Sequence, residues 1–528
     1  MQEPAQLAGG LILRAFDGFA PSAAILDAIA GRRAAGVTIF RSRNVESPAQ
    51  LRSLSASLQA ARPHGDPPLL IATDQEGGQL QAIGEGATAW PGNLALAASG
   101  SEALAEGAAA AIGRELAAMG VNVIYAPVCD LLSDGSALMG TRTFGDDPEL
   151  AARMVAASVR GFATDGVGAT LKHFPGHGAV VEDSHYVLPV ARVDRATLAT
   201  RELIPFSAGI EAGADLVMLG HLAVPALTGG RDVPACFAPE IAEELLRDEM
   251  RFAGVSMSDA LDMGALGGPE DLPGNAVSIV AAGVDLLLTV HEPELVDEAI
   301  EAVTLAIADR RLDMAAVRAS ASRVIDLRRR LGDRVEPPGL EVVGCAEHAA
   351  LAREIAERAV TLVRDRAGIV PLRPPSSGRP VVVSPAPADL TPADTSSYAR
   401  LGLADAFRER GFSVDELEMP MNPGPDVLQA LRDRLVEAPL AIIGTVDAVM
   451  HPGQARLVDL LVADGVPTIA VALRTPFDLA AYPSVQTHAC TYGIQPPNLL
   501  ALVDALTGQI PFRGQLPVRL DSALEVAR

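Results

Sequence analysis

Between Leu11 and Arg330, short apolar or β-branched runs alternate with Ala-rich stretches in which apolar residues return every three or four positions. The runs are Leu11 to Phe16, Gly36 to Phe40, Leu69 to Thr73, Val121 to Ala126, Gly168 to Leu171, Asp215 to Leu219, Gly254 to Met257 and Gly283 to Val290, and each reads as a strand. The stretches between them, such as Ser101 to Met119, Asp147 to Thr164, Ala196 to Ala212 and Pro239 to Arg251, carry the period of amphipathic helices. Eight strand-helix units predict an α/β fold of the (β/α)8 TIM-barrel type. An open doubly wound sheet fits less well, because no GxGxxG segment opens a helix.

The pattern changes after the basic run Arg328 to Arg330. Segment 331–345, with Pro337-Pro338-Gly339 in its middle, predicts a linker between a barrel domain over 1–330 and a second domain over 346–528. There a helix from Ala346 to Val363 precedes strand-like Pro380 to Ser384, Leu440 to Gly444, Thr468 to Leu473 and His488 to Thr491, again alternating with helices. A smaller parallel α/β sandwich domain is expected. The stretches Pro374 to Pro380 and Pro385 to Pro392 read as loops.

Charge narrows the partners. Of 528 residues, 42 are Lys or Arg and 66 are Asp or Glu, a net charge of −24 that repels phosphate backbones and anionic lipid head groups alike. Nucleic acid and membrane surfaces are therefore excluded, and a monomer or homodimer acting on a small molecule is expected. Cys129, Cys236, Cys345 and Cys490 contain no CxxC pair, so they read as free thiols. The amino terminus lacks a basic n-region, Arg14 interrupts its apolar stretch, and no window approaches ~20 uninterrupted apolar residues. A cytoplasmic location is the expectation.

Only 20% of the residues are charged, yet Lys172-His173-Phe174-Pro175-Gly176-His177-Gly178, followed by Asp183-Ser184-His185, concentrates three histidines, a lysine and an aspartate directly after the fifth strand. TIM-barrel chemistry sits on the loops at the carboxyl ends of the strands. Asp74 ends the third run, Lys172 and His173 the fifth, His221 the sixth and Asp259 the seventh, so residues far apart in sequence are expected to converge on one mouth. Asp74, shortly before Gly77-Gly78, also fits an Asx turn, and Arg142 equally fits a surface arginine. A carboxylate such as Asp259 suits nucleophilic attack, and His185 suits proton transfer near neutrality, with Asp183 fixing its tautomer. Lys172, His173 and Arg142 offer donors and Asp74 acceptors, the mixture that desolvated sugar hydroxyls require. Zinc bound by His173, His177 and His185 is a rival chemistry. It is disfavoured because Pro175-Gly176 keep the first two off a common helix, and no metal is expected. The histidines His64, His291, His348, His451 and His488 read as structural or surface residues, without acidic partners at useful spacing.

The KHFPGHG and DSH segments, with TDQEGG, GTRTFG and SDALDMGA, resemble family 3 glycoside hydrolases of the β-N-acetylhexosaminidase type. The later LRTPFDL, TYG and GQLPVRL segments resemble that family's second domain. The resemblance implies a retaining enzyme without cofactor, with Asp259 as nucleophile and His185 as acid/base supported by Asp183. It also implies that Asp74, Arg142, Lys172, His173, His221 and Met263 hold a non-reducing N-acetylglucosamine of small glycosides or muropeptide fragments. Two stretches depart from the family. Its usual RVQR after DQEGG is here Gln79-Leu80-Gln81-Ala82, which removes two arginines. Its GHGDT becomes Gly178-Ala179-Val180 at the corresponding place. A glycoside phosphorylase or β-glucosidase of the same family, and a non-catalytic carbohydrate-binding protein, remain open on these residues.

Overall fold

The computed structural model describes residues 2–133, 139–180, 182–290, 292–332, 336–373 and 378–520. His291, part of segment 331–345 and part of the loop Pro374 to Pro380 lie outside the described residues.

Eight parallel strands close into a barrel in chain order: β1 (Ile12–Arg14), β2 (Gly36–Ile39), β3 (Leu70–Thr73), β4 (Val123–Ile124), β5 (Gly168–Phe174), β6 (Leu216–Leu219), β7 (Val255–Ala260) and β8 (Leu286–Thr289), with β8 pairing back to β1. Each of the eight apolar runs supplies one strand. The first six strands and β8 are buried along their whole length, which is what a strand covered inside by the barrel core and outside by helices requires. Two strands run further toward the mouth than their apolar runs. β5 includes Lys172 and His173, and β7 includes Asp259, so these polar side chains stand on strand ends rather than on loops. Between β3 and β4 a small hairpin, Gln75–Gly77 against Leu80–Gln81, projects over the barrel.

The second sheet has six strands: β9 (Thr361–Asp365), β10 (Val381–Pro385), β11 (Asp415–Met419), β12 (Ala441–Thr445), β13 (Thr468–Ala472) and β14 (Thr487–Cys490). Their spatial order is β9-β14-β13-β12-β10-β11, with β9 antiparallel to β14 and the other pairs parallel. The sheet is therefore mixed, which corrects the expectation of an all-parallel one. The expected helix from Ala346 stops at Ala359, because the β-branched run Val360, Thr361, Val363 prefers the edge of the sheet. β11 was hidden for another reason: at this edge only Leu417 and Met419 are buried, and the rest of the strand is charged and exposed.

Helix Ala346–Ala359 packs on helices Asn93–Ser99 and Glu102–Ala118 of the barrel. At this seam the buried Glu115 accepts hydrogen bonds from Thr88 Oγ1 at 2.6 Å and Gly344 N at 3.0 Å, and its Oε1 lies 2.8 Å from His348 Nδ1. His348 thus has the acidic partner that sequence spacing did not reveal. No helix among the described residues is long and apolar enough to cross a membrane.

The foot of the barrel is tied by Asp285, just before β8. Its fully buried carboxylate accepts from Ser256 N at 3.0 Å, pairs with Arg323 Nη2 at 2.6 Å, and also pairs with Arg247. Replacing one member of a buried ion network leaves the others desolvated without a partner. Asp285→Ala is expected to cost about 3–5 kcal/mol of stability in urea unfolding, and Arg323→Ala, at the more exposed end, about 1 kcal/mol.

Candidate active site

A cavity of about 540 Å3 opens at the carboxyl ends of the barrel strands, where Asp74, Arg142, Lys172, His173, Asp183, His185, Asp259 and Met263 meet in its wall. Its base is an ionic cluster. Glu76, carried by the hairpin after β3, is fully buried and accepts from Arg142 Nε at 2.9 Å and Nη2 at 2.8 Å, with Lys172 Nζ at 2.7 Å. Lys172 also reaches Asp74 Oδ1 at 2.5 Å. Burial pushes the Glu76 carboxyl up, but the facing Arg142 and Lys172 outweigh it and hold it down at about 2. For Lys172 burial works downward, yet Asp74 and Glu76 prevail and raise it, so it stays charged. The sequence reading missed Glu76, although it sits inside the same TDQEGG segment as Asp74. The Arg142 fork, expected to face substrate, is largely taken up by Glu76.

A second buried carboxylate organises the β5 loop. Asp130, beyond β4, lies 2.7 Å from His173 Nδ1 through Oδ2, and its Oδ1 accepts from His177 N at 2.6 Å. Burial raises Asp130, and His173 and His177 more than compensate, so it remains ionised. With Nδ1 committed, His173 turns its other nitrogen to the cavity side. His177 lies 3.0 Å from Ser184 Oγ, and burial lowers its imidazole to about 4, so it is neutral. Among the described residues no group of three or more His, Cys, Asp or Glu is placed to hold an ion.

His185 and Asp183 form the pair that their spacing suggests. Asp183 Oδ1 lies 2.7 Å from His185 Nδ1 and accepts from His185 N at 2.9 Å. Burial raises the Asp183 carboxyl, while these hydrogen bonds pull it below the ordinary range. The segment bearing them is stitched to the loop after β7: Gly264 N donates to His185 O at 2.9 Å, and Ala265 N to Ser184 O at 3.1 Å. A Cβ at Gly264 would stand 2.8 Å from Tyr186 O and 2.9 Å from His185 O, so only glycine permits the approach.

Asp259, the penultimate residue of β7, accepts from Ala260 N at 2.7 Å. Burial pushes its carboxyl up, but His173 and His221 lead a set of groups that brings it below the ordinary range. His221 is a correction. Expected at the substrate, it is fully buried and set back from the cavity, with Nε2 2.9 Å from Ala260 O and Nδ1 3.3 Å from Cys236 Sγ. It supports the strand end bearing Asp259 from behind.

The two departures from the family pattern fall in different places. Ala179 and Val180 pack into the hydrophobic core and do not line the cavity. Gln79 Oε1 accepts from Thr141 Oγ1 at 2.8 Å, and its carbonyl accepts from Thr395 N of the second sheet's loop at 2.7 Å. That loop brings Asp389, Asp394, Thr395 and Tyr398 into the same cavity wall as Ala82, Arg41 and Arg43, with Tyr398 directly against Arg41. Composition and periodicity carried no signal for these contacts.

Residues 9–327 match the model of the glycosyl hydrolase family 3 N terminal domain. A beta-hexosaminidase of Xylella fastidiosa (strain 9a5c) is 43% identical over 289 residues, covering 54% of this chain and 82% of the relative. A beta-hexosaminidase of Stenotrophomonas maltophilia (strain K279a) is 41% identical over 275 residues, 51% of this chain and 79% of the relative. Among solved structures, a glycoside hydrolase family 3 beta-N-acetylglucosaminidase from Paenibacillus sp. str. FPU-7 superposes with a TM-score of 0.91 at 34% identity, covering 98% of both chains.

The buried site carries a pH signature. His177 stays neutral in the folded protein down to about 4, whereas the unfolded chain takes up its proton near 6.5. Its contribution is complete above 6.5 and is lost as pH falls toward 4. Glu76, ionised down to about 2 in the fold, adds a loss that sets in below its ordinary value of 4.5. Between pH 7 and 4.5, wild-type stability is expected to fall by about 2 kcal/mol more than that of His177→Gln, measured by urea unfolding at the two pH values.

Proposed function

Since the chain belongs to glycosyl hydrolase family 3 and is a glycoside hydrolase, we propose that it is a retaining, exo-acting β-N-acetylglucosaminidase with Asp259 as its nucleophile. One observation carries the reading: Asp259 and the His185–Asp183 pair line a single cavity, and backbone hydrogen bonds from Gly264 and Ala265 tie the two segments together. The ionised Asp259 carboxylate attacks the anomeric carbon while His185 gives its proton to the departing glycosidic oxygen. The glycosyl-aspartate ester is then opened by water, which His185 deprotonates as it attacks. Asp183 holds Nδ1, so Nε2 is the nitrogen that trades protons with substrate and water.

Asp74, Lys172 and His173 hold the sugar hydroxyls, with Arg142 steadying Glu76 beneath them and Met263 forming an apolar wall. The names of the two bacterial relatives and of the Paenibacillus structure support an N-acetylhexosamine as the glycone. Small glycosides and muropeptide fragments fit a cavity of about 540 Å3. Four unpaired cysteines fit action in a reducing cytoplasm. The groups the mechanism uses are all the chain's own, and it calls on no cofactor.

A chromogenic N-acetyl-β-glucosaminide tests the reading. The wild type is expected to release N-acetylglucosamine first as the β anomer by NMR, at a rate independent of phosphate. Phosphate-dependent release of a sugar 1-phosphate would assign a phosphorylase instead. Asp259→Ala and His185→Ala are each expected to lower kcat by roughly 10²–10⁴ or more; activity surviving both overturns the assignment. Gly264→Ala, which pushes the His185 segment off the β7 loop, is expected to lower kcat about tenfold or more with KM little changed.

A further inference from the structure

Arg41, just beyond β2, is a half-buried guanidinium in the cavity wall that is held in place without a direct ion pair. Its Nη1 donates to Gln81 O at 3.0 Å, and its Cζ lies 4.1 Å from the centre of the Tyr398 ring. A Cβ at Gly84 would stand 2.0 Å from its Nη2, so the glycine makes room for the group. Among the described residues no carboxylate pairs with it. The nearby acids make their hydrogen bonds elsewhere, Asp389 with Ser397 N and Oγ at 2.7 Å each and Asp394 with Arg474 at 2.7 Å, and Asp389 acts on Arg41 only through its field. Its neighbours in the wall differ, since Arg142 has Glu76 and Arg43 has Asp17 at 3.3 Å. Arg41 and Tyr398 also divide this cavity from an adjoining one of about 440 Å3 between the barrel and the second sheet.

The barrel order says which end of a bound sugar this arginine meets. In a closed ring of eight strands β2 lies across the mouth from β6. The His185 segment runs from β5 to the β7 loop and so spans the β6 side. The proton donor defines where the leaving group sits, so Arg41 faces the opposite end, beside the small Ala82. We propose that Arg41, seated on Tyr398, is a substrate-positioning residue. It grips the hydroxyls of the glycone remote from the scissile bond, so the second sheet's loop takes part in substrate selection. This rests on the glycosidase reading above.

The test pairs enzyme and substrate deletions. Arg41→Ala, Arg41→Lys and Tyr398→Leu are assayed with 4-nitrophenyl N-acetyl-β-glucosaminide and its 4-deoxy and 6-deoxy analogues. For the parent glycoside, Arg41→Ala is expected to lower kcat/KM roughly 10–100-fold, the loss of a charged hydrogen bond. Arg41→Lys, which loses the fork, and Tyr398→Leu, which unseats it, are expected to fall in between. At least one deoxy analogue is expected to be cleaved equally by wild type and Arg41→Ala, because the partner hydroxyl is already gone. If every variant loses the same factor on all three substrates, or none loses any, Arg41 does not touch the sugar and the proposal falls. Failure of the wild type to cleave the parent glycoside would instead remove the glycosidase reading itself.

Discussion

The site depends on one arrangement above all, a carboxylate with no access to water shared by two cations. Moving Glu76, Arg142 and Lys172 out of water costs several kcal/mol per ion, and only close pairing offsets it. That pairing fixes three otherwise independent parts of the chain: the hairpin after β3, the turn at Gly140–Arg142 and the end of β5. Because Lys172 is locked, its neighbour His173 is locked too, and Asp130 completes the grip from the β4 side. The side chains best suited to bind a neutral, hydroxyl-rich ligand are thereby preorganised at folding rather than at binding.

Against this rigid floor the two groups assigned to bond cleavage are held differently. Asp259 stands on a strand end with His221 buried behind it, so its position follows from the barrel. His185 stands on a loop whose place is set by two backbone hydrogen bonds to the β7 segment and by the bare Cα of Gly264. A carboxylic acid in the proton-transfer role would need burial to raise its pKa. A histidine needs no such burial and so suits a partly exposed loop. The barrel supplies the fixed partner, and the loop supplies the one to which the proposed mechanism gives both substrate and water.

Periodicity makes the barrel legible because its strands are buried along most or all of their length and their runs are largely apolar. It misleads where burial is partial: edge strand Asp415–Met419 shows two buried side chains, and Thr361–Asp365 follows directly on a helix. Asp74, Lys172, His173, Asp183, His185 and Asp259 stand out because they cluster in sequence or close strand ends. Glu76 and Asp130 escape notice because their partners come from other strands. His221 misleads in the opposite direction, since a polar residue at a strand end can serve the backbone of the next strand as readily as a ligand. Arg41 follows β2 of the barrel and Tyr398 lies on a loop of the second sheet, and only the folded chain brings them together.

The two departures from the family pattern then separate by consequence. Val180 lies in the core and Ala179 packs against it, both outside the cavity wall, so this departure does not touch the groups that line the cavity. Gln79 and Ala82 replace arginines where the barrel meets the second sheet. There Gln79 anchors Thr141 and Thr395, and Ala82 leaves space that Arg41 borders. Arg41 on the β2 side, steadied by Tyr398 from the second sheet's loop, is the long cation beside that space. Selectivity that depends on such a contact is tied to how the two sheets dock. The pair proposed to break the bond, Asp259 and His185, is anchored wholly within the barrel and is not.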